Sequence, residues 1–392
     1  MRSVFILSAV RTAIGKYGGS LRDLTAPDLG VLVARAALSR AGIEPAEVEE
    51  VIFGHARQAG NGPNSARQIA VRAGIPVGVP AYTVNKACAS GMKAIVLGCQ
   101  EIVLGNADAV LVGGAEAMSR IPYFVEGARW GARLGHQTLV DGMYQDGFLC
   151  PLAQMIMGET AEVLAGQYHI SREEQDCYAL ESQRRARHAI ESGRFAEEIV
   201  SVTVREKKGE RVFQTDEHPR FDSTAESLAK LPPVFSKTGT ITAGNSSGIT
   251  DGAAALVLVT EERAKNSSIR PLARIGHYTS AGVDPRTMGI GPVPAVQKLL
   301  KKSGRRMEEY DLIELNEAFA AQVLACDQEL HFDRERLNVN GGGIALGHPI
   351  GCTGARITVT LVHEMLKRHA RRGLATLCVS GGMGMALELE AA

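Results

Sequence analysis

Two stretches of this chain recur, in the same order, near its other end. Residues 36–54, AALSRAGIEPAEVEEVIFG, are echoed by 298–316, KLLKKSGRRMEEYDLIELN: a helix end, a glycine, a short acidic connection and an apolar strand. Residues 83–118, from TVNKACASGMKAI to VLVGGAEAM, are echoed by 338–385, from NVNGGGIALGHPIGCTGARI to LCVSGGMGM. The paired landmarks keep near-constant separations: Gly42 to Gly304 is 262 residues, Asn85 to Asn340 is 255, and Gly113 to Gly381 is 268. Chance supplies one such echo; three in order imply a duplicated fold. Within each copy, strand signals (Val4 to Leu7, Val51 to Phe53, Ala109 to Val112) alternate with helical ones (about 28–41 and 90–104), the pattern of an α/β layered domain. The expectation is two similar halves about a pseudo-twofold axis, with equivalent loops meeting near it.

Residues 119–239 match neither copy. They hold a helical segment with Ser171 as N-cap and Glu174 three residues on, a capping box. They also hold a charged KKGER stretch, in which Lys207, Lys208 and Arg211 read as a solvated turn. This segment is expected to be an insertion that covers the site. The predicted organisation is therefore a first half formed by 1–118 with 240–268, an inserted loop domain at 119–239, and a second half at 269–392. The apolar run 253–259 reads as a buried strand returning to the first half.

A chain of 392 residues exceeds the size at which one core stops growing, in keeping with this division. Its 43 basic and 43 acidic side chains cancel, so overall charge favours neither nucleic acid nor a membrane surface, and an anionic ligand needs a local patch. Seven cysteines without a CxxC pair suit neither a disulfide framework nor a zinc site; they read as reduced intracellular thiols. The start, MRSVFILSA, reads as a strand rather than a signal peptide, and no apolar run is long enough to suggest a membrane span. A cytoplasmic location is expected. HEMLKRH at 363–369 lacks the HExxH spacing, so no metal is expected; Gly341 to Gly343 resemble a phosphate cradle, but no GxxxxGK[ST] is present, and tight backbone packing is expected there.

Cys88 draws attention within NKACASGMKAIVLG, because it lies just ahead of a helix start. Free N–H groups and the dipole there favour an anion, and so a lowered thiol pKa. Duplication should bring the loops around His348 and Cys378 to it. Four segments then converge: Cys88 in NKACASGMKAI, Asn316 in ELNEAFAAQ, His348 in NGGGIALGHPIGCTGAR and Cys378 in LCVSGGMGMA. Taken singly, Asn316 reads as a strand-end turn residue, His348 as a loop residue and Cys378 as core.

Together these segments closely resemble the thiolase family, and within it the acetyl-CoA acetyltransferases. The likeness runs from SAVRTAIGKYGG at the start through MGETAE, AKLPPVF, TAGNSSG and DGAA. It implies a thiolase-like fold of duplicated αβαβα halves and an acyl-CoA C-acyltransferase: a reversible Claisen condensation, or thiolytic cleavage of a 3-ketoacyl-CoA, run by ping-pong chemistry through an acyl-cysteine. It implies Cys88 as nucleophile, His348 as its base, Cys378 as the acid/base at the α-carbon, and Asn316 as holder of a water beside His348. The backbone N–H groups of Cys88 and Ser380 would form an oxyanion hole. Arg220, Ser247 and Ala243 would contact coenzyme A, and Met157 and Phe319 would wall the acyl pocket. No permanently bound cofactor is implied; coenzyme A and acyl-CoA are substrates. A homo-oligomer, dimer or tetramer, is implied as well. Glu317 reads either as an orienter of His348 or as a solvated carboxylate.

The sequence departs from the short-chain pattern at Ile156, where many acetoacetyl-CoA thiolases have His, and at Phe221, Asp222 and Ser223 after Arg220. It departs again at Ser380, where a glycine is usual and a positive φ would strain serine. Chain length and direction stay open. The rivals are a 3-ketoacyl synthase, which Cys378 argues against because such enzymes use His there, a non-catalytic acyl-CoA or lipid carrier, and a cysteine hydrolase.

Overall fold

The computed structural model describes residues 2–206 and 209–392. Nine strands run in one path: Leu312–Leu315, Arg372–Val379, Met383–Glu390, Ala273–Gly282, Val4–Thr12, Thr250–Thr260, Ala109–Ala117, Glu50–Gly54, Ala81–Val84. The junction between halves is antiparallel pairing of Phe5 with Arg274 and Ile6 with Ala273. Outward from that junction the second half places its four strands in the order first, fourth, third, second, and the first half follows the same arrangement with one more strand, Ala81–Val84, at its edge. Glu50–Gly54 is parallel to Ala109–Ala117 as Leu312–Leu315 is to Arg372–Val379, the pairs nearer the junction are antiparallel, and the edge strand Ala81–Val84 is parallel to Glu50–Gly54. The duplication is thus carried through four strands of each half, and the two halves share one sheet rather than keeping two.

Helices fill three layers around the strands. Ala26–Ala41 covers the outer face of the first half and Pro292–Ser303 that of the second. Each ends on a left-handed glycine, Gly42 (φ 61°) and Gly304 (φ 69°), where a side chain would be strained. Between the sheet halves lie two central helices, Ser90–Leu104 and Ile350–Arg368, which share one core. They cross on two glycines. A Cβ on Gly91 would sit 2.7 Å from the Ala355 nitrogen, and one on Gly354 would sit 2.5 Å from the Met92 nitrogen. This reciprocity makes Gly91 and Gly354 counterparts. Ladder register makes Gly113, opposite Phe53, the counterpart of Thr376, opposite Leu315. A single offset of 262–263 residues therefore relates the halves. The sequence pairings Asn85 with Asn340 and Gly113 with Gly381 are out of that register; they matched composition rather than position.

The stretch 87–104 has a mean hydropathy of 1.4 over 18 residues, enough by length and composition to cross a membrane, contrary to the sequence expectation. Here its residues 90–104 form the first central helix, whose apolar face (Ile95, Val96, Cys99, Ile102) is core. Residues 119–239 contribute two long helices, Met157–Gln167 and Arg172–Glu191, the latter capped by Ser171 and Glu174 as expected, and a short one, Ala225–Ala229. They also contribute a hairpin, Val202–Glu206 with Gly209–Phe213. Lys207 and Lys208 lie outside the described residues. Arg211 belongs to the second hairpin strand rather than a turn, with its Nε 2.6 Å from Glu206 and an Nη donating to Ser20. The run 253–259 is a strand buried between Val4–Thr12 and Ala109–Ala117.

Candidate active site

Because the two central helices are counterparts, their N-termini open on the same side. The turn before Ser90 carries Cys88, and the turn before Ile350 carries His348. Cys378 is the last residue but one of the strand Arg372–Val379, and Ser380 follows that strand. All four line one cavity of about 800 Å³.

The Cys88 turn is held tightly. Ala87 has a positive φ of 45°, unusual for a residue with a Cβ. Its N–H donates to Asn85 Oδ1 at 2.9 Å, and the Ser90 hydroxyl donates to its carbonyl at 2.6 Å. The expectation of a lowered thiol pKa is not met. Burial pushes the Cys88 thiol up, while the Ser380 N–H directed at its sulfur and the Arg57 charge act the other way. Cys378 is fully buried, and that burial, with Cys88 as neighbour, holds its thiol well above the ordinary range. Both groups rest as thiols, so a base is needed.

His348 supplies one. Burial, reinforced by the Arg356 and Arg57 charges, lowers its pKa to about 3, so the ring is neutral at ordinary pH. Its Nδ1 lies 2.6 Å from Thr353 Oγ1, and that hydroxyl gives its own proton to the Pro349 carbonyl at 2.9 Å. Thr353 can then only accept from Nδ1–H, which leaves the Nε2 lone pair free. The His348 backbone N–H donates to the Gly248 carbonyl at 3.1 Å. Thr353 was not marked by the sequence reading; its signal is its place five residues after His348, one turn into the helix.

Asn316 follows the strand Leu312–Leu315, as expected of a strand-end residue, and its N–H pairs with the Thr376 carbonyl. It is fully buried and does not line the cavity, and neither amide atom of its side chain has a protein partner among the described residues. Glu317 is neither a solvated carboxylate nor a partner of His348. It is 1% exposed and accepts from Tyr178, Ser182, Asn338 and the Ile344 N–H at 2.7–3.1 Å. It thereby ties the Gly342–Leu346 turn leading to His348 onto the helix Arg172–Glu191. Ser380 is not among the residues with positive φ; Gly381 (88°) and Gly382 (84°) take that conformation, so serine is accommodated without the expected strain.

Met157, Phe319, Ala243, Ser247 and Arg220 all line the cavity, as does Ile156. The exposed Arg220 has no carboxylate within ion-pair distance among the described residues, leaving its guanidinium available. The sequence reading missed Arg57, Phe148, His218, Phe235 and Met288 on the same wall. Phe235 packs edge-on against Phe319 at 6.2 Å, an aromatic pair joining the inserted segment to the second half.

The chain matches the thiolase N-terminal domain over residues 4–262 and the thiolase C-terminal domain over 269–391. It is 53% identical over 390 residues to an acetyl-CoA acetyltransferase of Pseudomonas aeruginosa, covering 99% of each chain. Among solved structures it is similar to an acetyl-CoA acetyltransferase of Bacillus anthracis (52% identity, TM-score 0.98, covering 100% of this chain and 99% of that one). It is also similar to human mitochondrial 3-ketoacyl-CoA thiolase in complex with CoA (45% identity, TM-score 0.96, covering 100% and 98%). With two central helices bringing Cys88 and a neutral His348 to one cavity and a strand adding Cys378, the chain belongs to the thiolase family and is an acyl-CoA C-acyltransferase.

Proposed function

We propose that acyl transfer here runs in two stages through a thioester on Cys88. In the cleavage direction His348 Nε2 takes the Cys88 proton as the sulfur attacks the 3-keto carbon. The bond between the α-carbon and the keto carbon breaks, Cys378 protonates the departing carbanion, and acetyl-CoA leaves. Coenzyme A then takes the acyl group from Cys88, and condensation is the reverse. The Cys88 and Ser380 N–H groups would hold the thioester oxygen, a donor pair worth about 10²- to 10³-fold each in rate. Asn316 would hold a water beside His348. What carries this reading is the convergence of two protonated thiols, a neutral imidazole with its Nε2 free, and the Ser380 N–H on one cavity.

Arg220, Ser247 and Ala243 would meet coenzyme A, and Met157 and Phe319 the acyl chain. Ile156 is apolar, and its place on the wall supports an acyl group longer than acetyl. A homo-oligomer built through the inserted segment is supported by exposed Trp130 (82%), Leu134 (96%) and Leu139 (65%). The division at 118, 239 and 268, and a cytoplasmic location, complete the proposal; seven free thiols support the latter.

The test is intact-protein mass spectrometry after brief exposure to acetoacetyl-CoA. The parent should gain an acetyl mass that vanishes on adding CoA and is absent in Cys88→Ala. An unmodified parent that still binds the substrate would refute the assignment and favour a carrier.

A further inference from the structure

One cation in this cavity has no part in the scheme above. Arg57 follows the strand Glu50–Gly54, and the offset between halves makes it the counterpart of Phe319; both stand on the cavity wall. It belongs to the deep end: it shares that wall with Ser380, whose N–H reaches the Cys88 sulfur, and its charge is felt by both Cys88 and His348. The side chain is anchored rather than free. Its backbone N–H donates to Glu116 Oε1 at 3.2 Å, and Nη2 donates to the Gly147 carbonyl at 2.8 Å.

Among the described residues Arg57 forms no ion pair, since Glu116 meets its backbone and not its guanidinium, and its buried Nε has no partner. A second cavity of about 480 Å³ lies on the other side, sharing Arg57, Gly147 and Ser380 with the first and lined by the polar Gln58 and Asn85 and, at its exposed side, by the acidic Asp146. A partly buried guanidinium without a counter-ion is costly, and its planar donors match a carboxylate. The coenzyme A phosphates do not meet this need, because on the reading above they lie toward the exposed Arg220.

We propose that Arg57 recognises an anion at the far end of the acyl chain, so that the substrate class is 3-ketoacyl-CoA ending in a carboxylate, with that end entering the second cavity. The inference rests on the proposed acyl-Cys88 chemistry. No additional covalent step is involved: the carboxylate binds, and cleavage proceeds as above.

The test compares two six-carbon 3-ketoacyl-CoA substrates, one ending in a methyl and one in a carboxylate, in the parent, Arg57→Met and Arg57→Lys. The readout is the ratio of their kcat/KM values, which cancels any shared effect on Cys88 or on folding. The parent should favour the carboxylate substrate, Arg57→Met should cut the ratio about 10- to 100-fold, the value of a charge-assisted hydrogen bond, and Arg57→Lys should keep part of it. Equal loss on both substrates in Arg57→Met, or a parent ratio at or below one, overturns the inference. If the parent forms the acetyl adduct from acetoacetyl-CoA yet rejects the carboxylate substrate, this inference alone fails. If no substrate forms an adduct, the proposed function fails and takes the inference with it.

Discussion

Replacing Gly91 by alanine tests whether the crossing of the two central helices sets the catalytic geometry. The new Cβ would lie 2.7 Å from the Ala355 nitrogen, 3.0 Å from its Cβ and 3.1 Å from the Cys352 carbonyl oxygen, where ordinary contact begins at 3.4 Å. Two of these neighbours are backbone atoms, so relief requires the helices to part by about 0.7 Å at their closest point. Overpacking of this kind costs about 1–3 kcal/mol, and the gain of helix propensity on losing glycine returns about 1 kcal/mol, so stability should fall by no more than about 2 kcal/mol. Activity should fall further. Cys88 precedes one helix and His348 the other, so the parting displaces nucleophile from base; a 1 Å misplacement costs about 10²-fold, which puts the loss in kcat at about 10- to 100-fold. The assay is thiolysis of acetoacetyl-CoA beside a thermal melt. Gly354→Ala, with its Cβ 2.5 Å from the Met92 nitrogen, should behave alike, and the double variant should lose less than the product of the two because both relieve one contact. A kcat within twofold of the parent in both variants would refute the reasoning.

Thr353→Val should remove the acceptor that fixes the His348 tautomer and lower kcat about 10- to 100-fold with little change in KM, while Thr353→Ser restores it; equal rates for Val and Ser would sink the assignment of Nε2 as the base. Glu317→Ala leaves four buried donors without their acceptor and should cost about 3 kcal/mol or more, read as a lowered melting temperature; an unchanged melt would show that the turn before His348 stands without it. For pH, His348 is neutral in the fold with a pKa of about 3 against an ordinary 6.5, so its contribution to stability is complete above 6.5 and is lost as pH falls toward 3. Between pH 6.5 and 5 the parent should lose about 2 kcal/mol more than His348→Asn in denaturant titrations; parallel curves would mean the ring takes up its proton in the fold.

What could be read from the sequence was what periodicity and capping encode. The Ser90 helix start, the Ser171 cap and the two terminal glycines depend on a few adjacent residues, and the structure has them where the pattern put them. The convergence of Cys88, His348 and Cys378 was legible because duplication fixes where equivalent loops meet. The thiol pKa was not, because the helix terminus was visible and the burial around it was not. Glu317 escaped for a related reason: its four partners come from the Arg172–Glu191 helix, Asn338 and the Gly342–Leu346 turn, separated in sequence and joined only by packing.

Arg57 shows what the repeat can still tell once its register is known. In the sequence it is one more cation after a strand, and the misregistered glycine pairing gave it no counterpart. With the offset at 262, Gly54, His55, Ala56 and Arg57 fall on Asn316, Glu317, Ala318 and Phe319. His55 and Glu317 are then both buried polar anchors of their loops, His55 through Ser65 at 2.8 Å and Glu116 at 3.2 Å. Each anchor holds the residue two positions on against the cavity. One fold device thus presents an aromatic wall from one half and a cation from the other. A twofold frame with unlike residues at equivalent places is what an asymmetric substrate needs, because the two ends of its acyl pocket must differ in chemistry while sharing one geometry.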